Sequence, residues 1–310
     1  MKSIIRTTLL VALLLPQLAH ADWAISRAED YDAEVDLLGI AFLDDNRGWA
    51  VGDKGTILAT ADGGQTWTQQ AMPEPAADIE ERFRSRMMSA QLVRVLVAGE
   101  SSVWILGSGV LLGSDDAGAT WRYANAGTRN RLTNGVFLSP EVGFIVGDNR
   151  TAVGTWDGGS TWEAVSEGRR ARAGDNRTTF EAIGFMTEDI GWIVGSSGTY
   201  MRSEDGGKSW GEPDGVDFDA GENIFGMKCL SETEAWAVGA EATLLHTTDG
   251  GEYWERIEND AEDFWYNLMD ITFTADGKQA WSVGDGGGIL HTTDGGETWA
   301  SEDSSVNHNL

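Results

Sequence analysis

Six copies of one eight-residue pattern, Ser/Thr-x-Asp-x-Gly-x-x-Trp, constrain this chain more than any other feature. They run Thr60–Trp67, Ser114–Trp121, Thr155–Trp162, Ser203–Trp210, Thr247–Trp254 and Thr292–Trp299. Their aspartates, Asp62, Asp116, Asp157, Asp205, Asp249 and Asp294, lie 54, 41, 48, 44 and 45 residues apart. Near-constant spacing along a whole chain means repeated supersecondary units. A second pattern precedes each box, at Gly48–Gly52, Val103–Gly107, Gly143–Gly147, Gly191–Gly195, Ala235–Gly239 and Ala280–Gly284. Each is a short apolar strand closed by a glycine turn.

One unit can be written out strand by strand. Leu37 to Phe42 is the first strand and Gly48 to Val51 the second, joined by the turn Asp44-Asp45-Asn46-Arg47. Thr56 to Thr60 is the third; the box turns the chain, and Trp67 opens the fourth. Four short antiparallel strands per repeat is the size of a propeller blade. The chain is therefore read as all-β, a β-propeller of four-stranded blades, with six favoured and seven possible. The repeat cores are about 37–70, 91–124, 132–165, 179–212, 224–257 and 268–301. Trp23 to Ser26 is an extra strand expected to pair with the last blade near Trp299.

The box has a mechanical reading. Its carboxylate can accept from amides of its own turn, helped by the Ser/Thr hydroxyl. Its glycines supply positive φ, and its tryptophan fills space between sheets. The six aspartates are thus structural rather than catalytic. Ala117 stands where the other boxes have their first glycine, so that turn is expected to differ slightly.

Lys2 and Arg6, the apolar run Leu9 to Leu15 and the Ala19-His20-Ala21 site read as a secretory signal over residues 1–21. Residues 22–310 then form a single propeller domain, periplasmic or secreted, with no transmembrane segment. No cysteine follows the cleavage site, which argues against a lipid anchor. The formal charge is −28, and losing Lys2 and Arg6 makes it −30. Such a surface repels nucleic acid and anionic lipid. The lone Cys229 cannot form an internal disulfide and is read as a buried, inert thiol.

The boxes and the Trp-x-Val-Gly strands look like BNR-repeat (Asp-box) propellers. The fuller course from Gly48 to Trp67, with Gly-Asp-x-Gly-Thr-Ile-Leu-x-Thr-x-Asp-Gly-Gly-x-Thr-Trp, resembles the photosystem II stability/assembly factor-like family. That resemblance implies a non-catalytic factor that binds a membrane protein client during assembly. For members outside phototrophs it implies binding or maturation of an envelope protein. It also implies an arginine-rich patch used in partner binding.

Arginines of this kind are present. In a blade, the connection from the fourth strand to the next blade lies at the end opposite the box. The first such connection carries Arg82, Arg84 and Arg86, the second Arg129 and Arg131, and the third Arg169, Arg170 and Arg172. The fourth and fifth are acidic, and the fifth ends in Phe264, Trp265 and Tyr266. Guanidinium groups bind carboxylates bidentately and suit interfaces. The bland reading of Arg82, Arg84 and Arg86 is that they pair with Asp78, Glu80 and Glu81 on a solvated loop or helix. The functional reading is a docking surface, together with the central-pore rim, on a monomer.

The rival class is a sialidase-like glycoside hydrolase or glycan-binding propeller. It needs a tyrosine nucleophile with acidic neighbours, and only Tyr266 of five tyrosines lies near an inner strand. No cofactor or metal is expected. His246 and His291 recur with the repeat and read as packing residues, and Asp44-Asp45-Asn46 as a plain turn.

Overall fold

The computed structural model describes residues 9–10, 25–26, 35–167, 178–213, 223–259, 261 and 264–304. It is a six-bladed β-propeller of four-stranded antiparallel blades, as the repeat predicts. Blade one comprises Leu37–Phe42, Gly48–Gly52, Ile57–Thr60 and Thr68–Gln70. Blade two comprises Leu92–Ala98, Ser102–Gly107, Val110–Ser114 and Arg122–Tyr123. Blade three begins at Leu132–Phe137 and ends at Glu163–Ala164, and blade five runs from Ile224–Cys229 to Glu255–Arg256. Blade six runs from Leu268–Phe273 to Ala300–Asp303. In blade four the first three strands, from Phe180–Phe185 to Tyr200–Ser203, form one sheet. Its outer strand Ser209–Trp210 runs parallel to Ser166–Glu167.

Two compact units organise the chain: residues 1–133, 139–143 and 155–162, and residues 134–138, 144–154 and 163–310. Each has its own apolar core. In the first, Trp49, Val51 and Ile57 pack with Leu92, Val103 and Ile105. In the second, Trp192 and Val194 pack with Ile224 and Trp254, and Trp236 and Val238 with Leu268 and Trp299. Second strands such as Gly48–Gly52 are buried on both faces, which is why they read as continuous apolar runs rather than alternating ones.

The packing rule between blades is legible in the box. The box tryptophan meets the second-strand aromatic of the preceding blade edge-on. Trp49 meets Trp121 at 6.4 Å, Trp104 meets Trp162 at 5.4 Å, and Phe144 meets Trp210 at 6.4 Å. Trp192 meets Trp254 at 5.9 Å and Trp236 meets Trp299 at 5.6 Å. The second box glycine lies under the same aromatic ring; at Gly159 a Cβ would overlap the Trp104 indole, and φ is +81°. Only glycine satisfies both demands.

Two expectations are corrected. Ile25–Ser26 pairs with Leu9–Leu10, not with the last blade; the partner opens the N-terminal apolar run, whose backbone groups also need a ladder. The second box does not differ. Ala117 takes φ 55°, and the box keeps its bonds: Ser114 Oγ to Asp116 Oδ1 at 2.7 Å and Gly118 N to Ser114 Oγ at 2.8 Å. The hydroxyl–carboxylate network over-determines the turn, so alanine absorbs the strain.

Candidate partner-binding surface

The six aspartates are spent inside their own turns. In the third box the Thr155 hydroxyl donates to Asp157 Oδ1 at 2.9 Å and accepts from Gly159 N at 2.8 Å. Thr161 donates to Asp157 from its amide at 2.8 Å and from its hydroxyl at 2.7 Å. The Thr120 hydroxyl and amide hold the Asp116 carboxyl at about 2; Asp62, Asp157, Asp205, Asp249 and Asp294 are lowered as well. In the fifth box Tyr253 replaces the Ser/Thr and only its amide reaches Asp249, at 3.0 Å. Carboxylates held ionised by several donors are poor proton donors near neutral pH.

The opposite ends of the blades are dissimilar. The first connection carries an α-helix, Glu81–Met88, none of whose residues is buried. Its arginines divide. Arg84 is turned back on its own loop: it donates to the Pro75 and Ala76 carbonyls at 3.1 and 3.0 Å and to Glu74 at 3.3 Å. It staples the incoming loop to the helix and is 25% exposed. Arg82 pairs with Glu80 at 2.9 Å yet stays 73% exposed. Arg86, one turn on, is exposed.

The second connection meets this helix. Arg129 stacks over the Phe83 ring at 5.1 Å, and Arg82 over the same ring at 4.6 Å. Phe83 therefore gathers guanidinium groups 47 positions apart in the chain, and cation–π attraction holds them against their mutual repulsion. Arg82 and Arg86, four residues apart, are neighbours on the helix surface. Arg131 bridges to Ser108 at the edge of blade two and is half-buried. Arg169, Arg170 and Arg172 lie outside the described residues. Sequence reasoning missed Phe83, although an aromatic among alternating arginines is a readable signal.

The rival site is less well built. The Tyr266 ring lies on Gly286 and Gly288 and meets Phe264 edge-on at 5.1 Å, a packing seat. Among the described residues no group of three His, Cys, Asp or Glu side chains is arranged to hold a metal. Asp44 accepts from Asn46 N, Arg47 N and Arg47 Nε, as a plain turn does. His246 stacks on Trp236 at 4.0 Å and His291 on Trp281 at 4.7 Å, the packing roles expected of them. Burial pushes the Cys229 thiol up to about 12. Among the described residues no helix is long and apolar enough to cross a membrane.

The family model described as photosynthesis system II assembly factor YCF48 matches residues 15–133, 120–212 and 171–262. The chain belongs to the Ycf48 family. The photosystem II assembly lipoprotein Ycf48 of Synechococcus sp. (strain CC9902) is 30% identical over 159 residues, covering 50% of this chain and 43% of the relative. The chain thus spans less than half the length of that curated relative. Two solved Ycf48 structures share the fold. One, from Cyanidioschyzon merolae, has a TM-score of 0.68 at 22% identity, covering 89% of this chain and 88% of that one. The other, described as YCF48 bound to D1 peptide, has a TM-score of 0.65 at 20% identity, covering 91% and 90%.

Proposed function

We propose that this chain is a non-catalytic assembly or stability factor, exported by a signal peptide cleaved after Ala21. In this reading it acts as a monomer in the periplasm on a membrane or envelope protein client. It captures a carboxylate-bearing segment of that client through Arg82, Arg86 and Arg129, with Arg131 beside them and Arg169, Arg170 and Arg172 on the next connection. The observation that carries the reading is the convergence of Arg82 and Arg129 on Phe83. Exposed guanidinium groups on a shared aromatic platform are pre-oriented for bidentate contacts. The family and the solved structure described as YCF48 bound to D1 peptide support it.

The test is crosslinking and pull-down from host membranes, with wild type beside Arg82→Glu/Arg86→Glu/Arg129→Glu. One envelope protein is expected with wild type, with recovery down about tenfold or more in the variant and an unchanged unfolding midpoint. Equal capture by a folded variant refutes the arginine site. Hydrolysis of fluorogenic glycosides, lost in Tyr266→Phe, would favour the enzyme reading instead.

A further inference from the structure

The loop entering blade six carries the most exposed large apolar side chain of the described residues. Trp265 is 76% exposed, Tyr266 42% and Met269 37%. The loop is nevertheless held firmly. Phe264, on one side of Trp265, is buried. On the other side, the Tyr266 ring lies so close to Gly286 and Gly288 that a Cβ at either would collide with it. The Tyr266 carbonyl accepts from Ala242 N at 2.9 Å. Asn267 accepts from Glu241 N at 3.2 Å and donates to Asp285 Oδ2 at 2.8 Å. An indole in water on a rigid pedestal is pre-organised for contact, because little ordering remains to be done on binding.

Charge decides what it contacts. The three segments that form the pedestal, 240–242, 264–270 and 285–288, carry Glu241, Asp270 and Asp285 and no basic residue. Arg256, on the outer strand of blade five, donates to Thr243 Oγ1 at 3.2 Å. We propose that Trp265, Tyr266 and Met269, framed by Glu241, Asp270 and Asp285, dock an arginine- or lysine-bearing segment of a partner protein. The cationic head lies over the indole face, its aliphatic stem lies against Met269 and Tyr266, and the carboxylates match its charge. An acidic segment is repelled here. A purely apolar one would strip water from three carboxylates and return nothing. A neutral sugar would stack on the indole but leave those charges unused. The chemistry is opposite to that of the arginine cluster around Phe83, and the site stands or falls independently of it.

The experiment is titration of the full chain with labelled peptides, followed by fluorescence anisotropy. The probes are a short peptide of alternating arginine and serine, its glutamate–serine counterpart and a neutral cello-oligosaccharide. The variants are Trp265→Ala, Glu241→Gln and Arg82→Glu/Arg86→Glu/Arg129→Glu. Trp265 is too exposed for its truncation to unfold the blade, and an unchanged thermal midpoint verifies this. Binding of the basic peptide is expected to fall about tenfold in Trp265→Ala, a loss typical of a cation–π contact. It should fall less in Glu241→Gln and not at all in the arginine variant. Equal binding by wild type and Trp265→Ala overturns the proposal, because acidic surface alone then explains the attraction. So does absence of basic-peptide binding, or a Trp265-dependent preference for the sugar.

Discussion

The two ends of each blade follow different rules. At the box end, six turns share one hydrogen-bond core, a hydroxyl that accepts from the second glycine's amide in every copy. At the other end the described connections differ: one carries a helix with three arginines, another an exposed tryptophan between acidic turns. The box end is repeated because in boxes two to six the same glycine and tryptophan must fit the preceding blade. The connections meet no such demand, so their residues are free to specialise. Repetition marks what holds the molecule together, and departure from it marks where the two proposed docking surfaces lie.

Substitutions at the two ends should break or sharpen this contrast. The largest effect is expected at the box end. Gly159→Val drives a side chain into the Trp104 indole at positive φ and should cost more than about 3 kcal/mol in denaturant unfolding, with capture lost along with the fold. Arg86→Glu, at the other end, should stay within about 0.5 kcal/mol of wild type while weakening capture. An Arg86→Glu protein that unfolds early would erase the contrast.

Thr155→Val comes next. It deprives Gly159 N and Asp157 of a partner, at a cost of about 1–3 kcal/mol, measurable as a lower urea midpoint with unchanged slope. Acid acts on every box at once. The folded carboxyls lie below their unfolded values, with Asp116 at about 2. Their contribution is complete above the ordinary carboxylate range of about 4 and is lost as pH falls through the folded value. Thermal midpoints should therefore decline below pH of about 4; a flat profile down to about 2 would show that the boxes contribute little. The smallest effect is a gain. Ala117→Gly relieves a φ of 55° and should stabilise by about 0.5 kcal/mol. If it destabilises, the turn owes more to the stiffness of alanine than to the hydrogen bonds around it.

The fold was legible to the residue in places: Leu37–Phe42 is the strand expected, and Gly48–Gly52 overruns its expected end by one residue. The candidate surface was legible only as composition. Arg82, Arg84 and Arg86 look alike in the sequence, yet Arg84 points back to Pro75, Ala76 and Glu74 while Arg82 shares Phe83 with Arg129. Ala117 misled in the opposite direction, because a turn held by several hydrogen bonds tolerates a residue that local preference disfavours.

By itself, the sequence determined that this chain is a propeller of four-stranded blades, favoured six of them over seven, and placed its conspicuous aspartates in the turns of the repeat. Those properties follow from contacts within one repeat or between neighbouring repeats, and such contacts recur at fixed spacing. Tertiary structure alone decided which arginines converge, which is tied down, and that Trp265 stands in water on a rigid base. Those depend on which loops lie side by side, a relation that no periodicity encodes, because each connection occurs once.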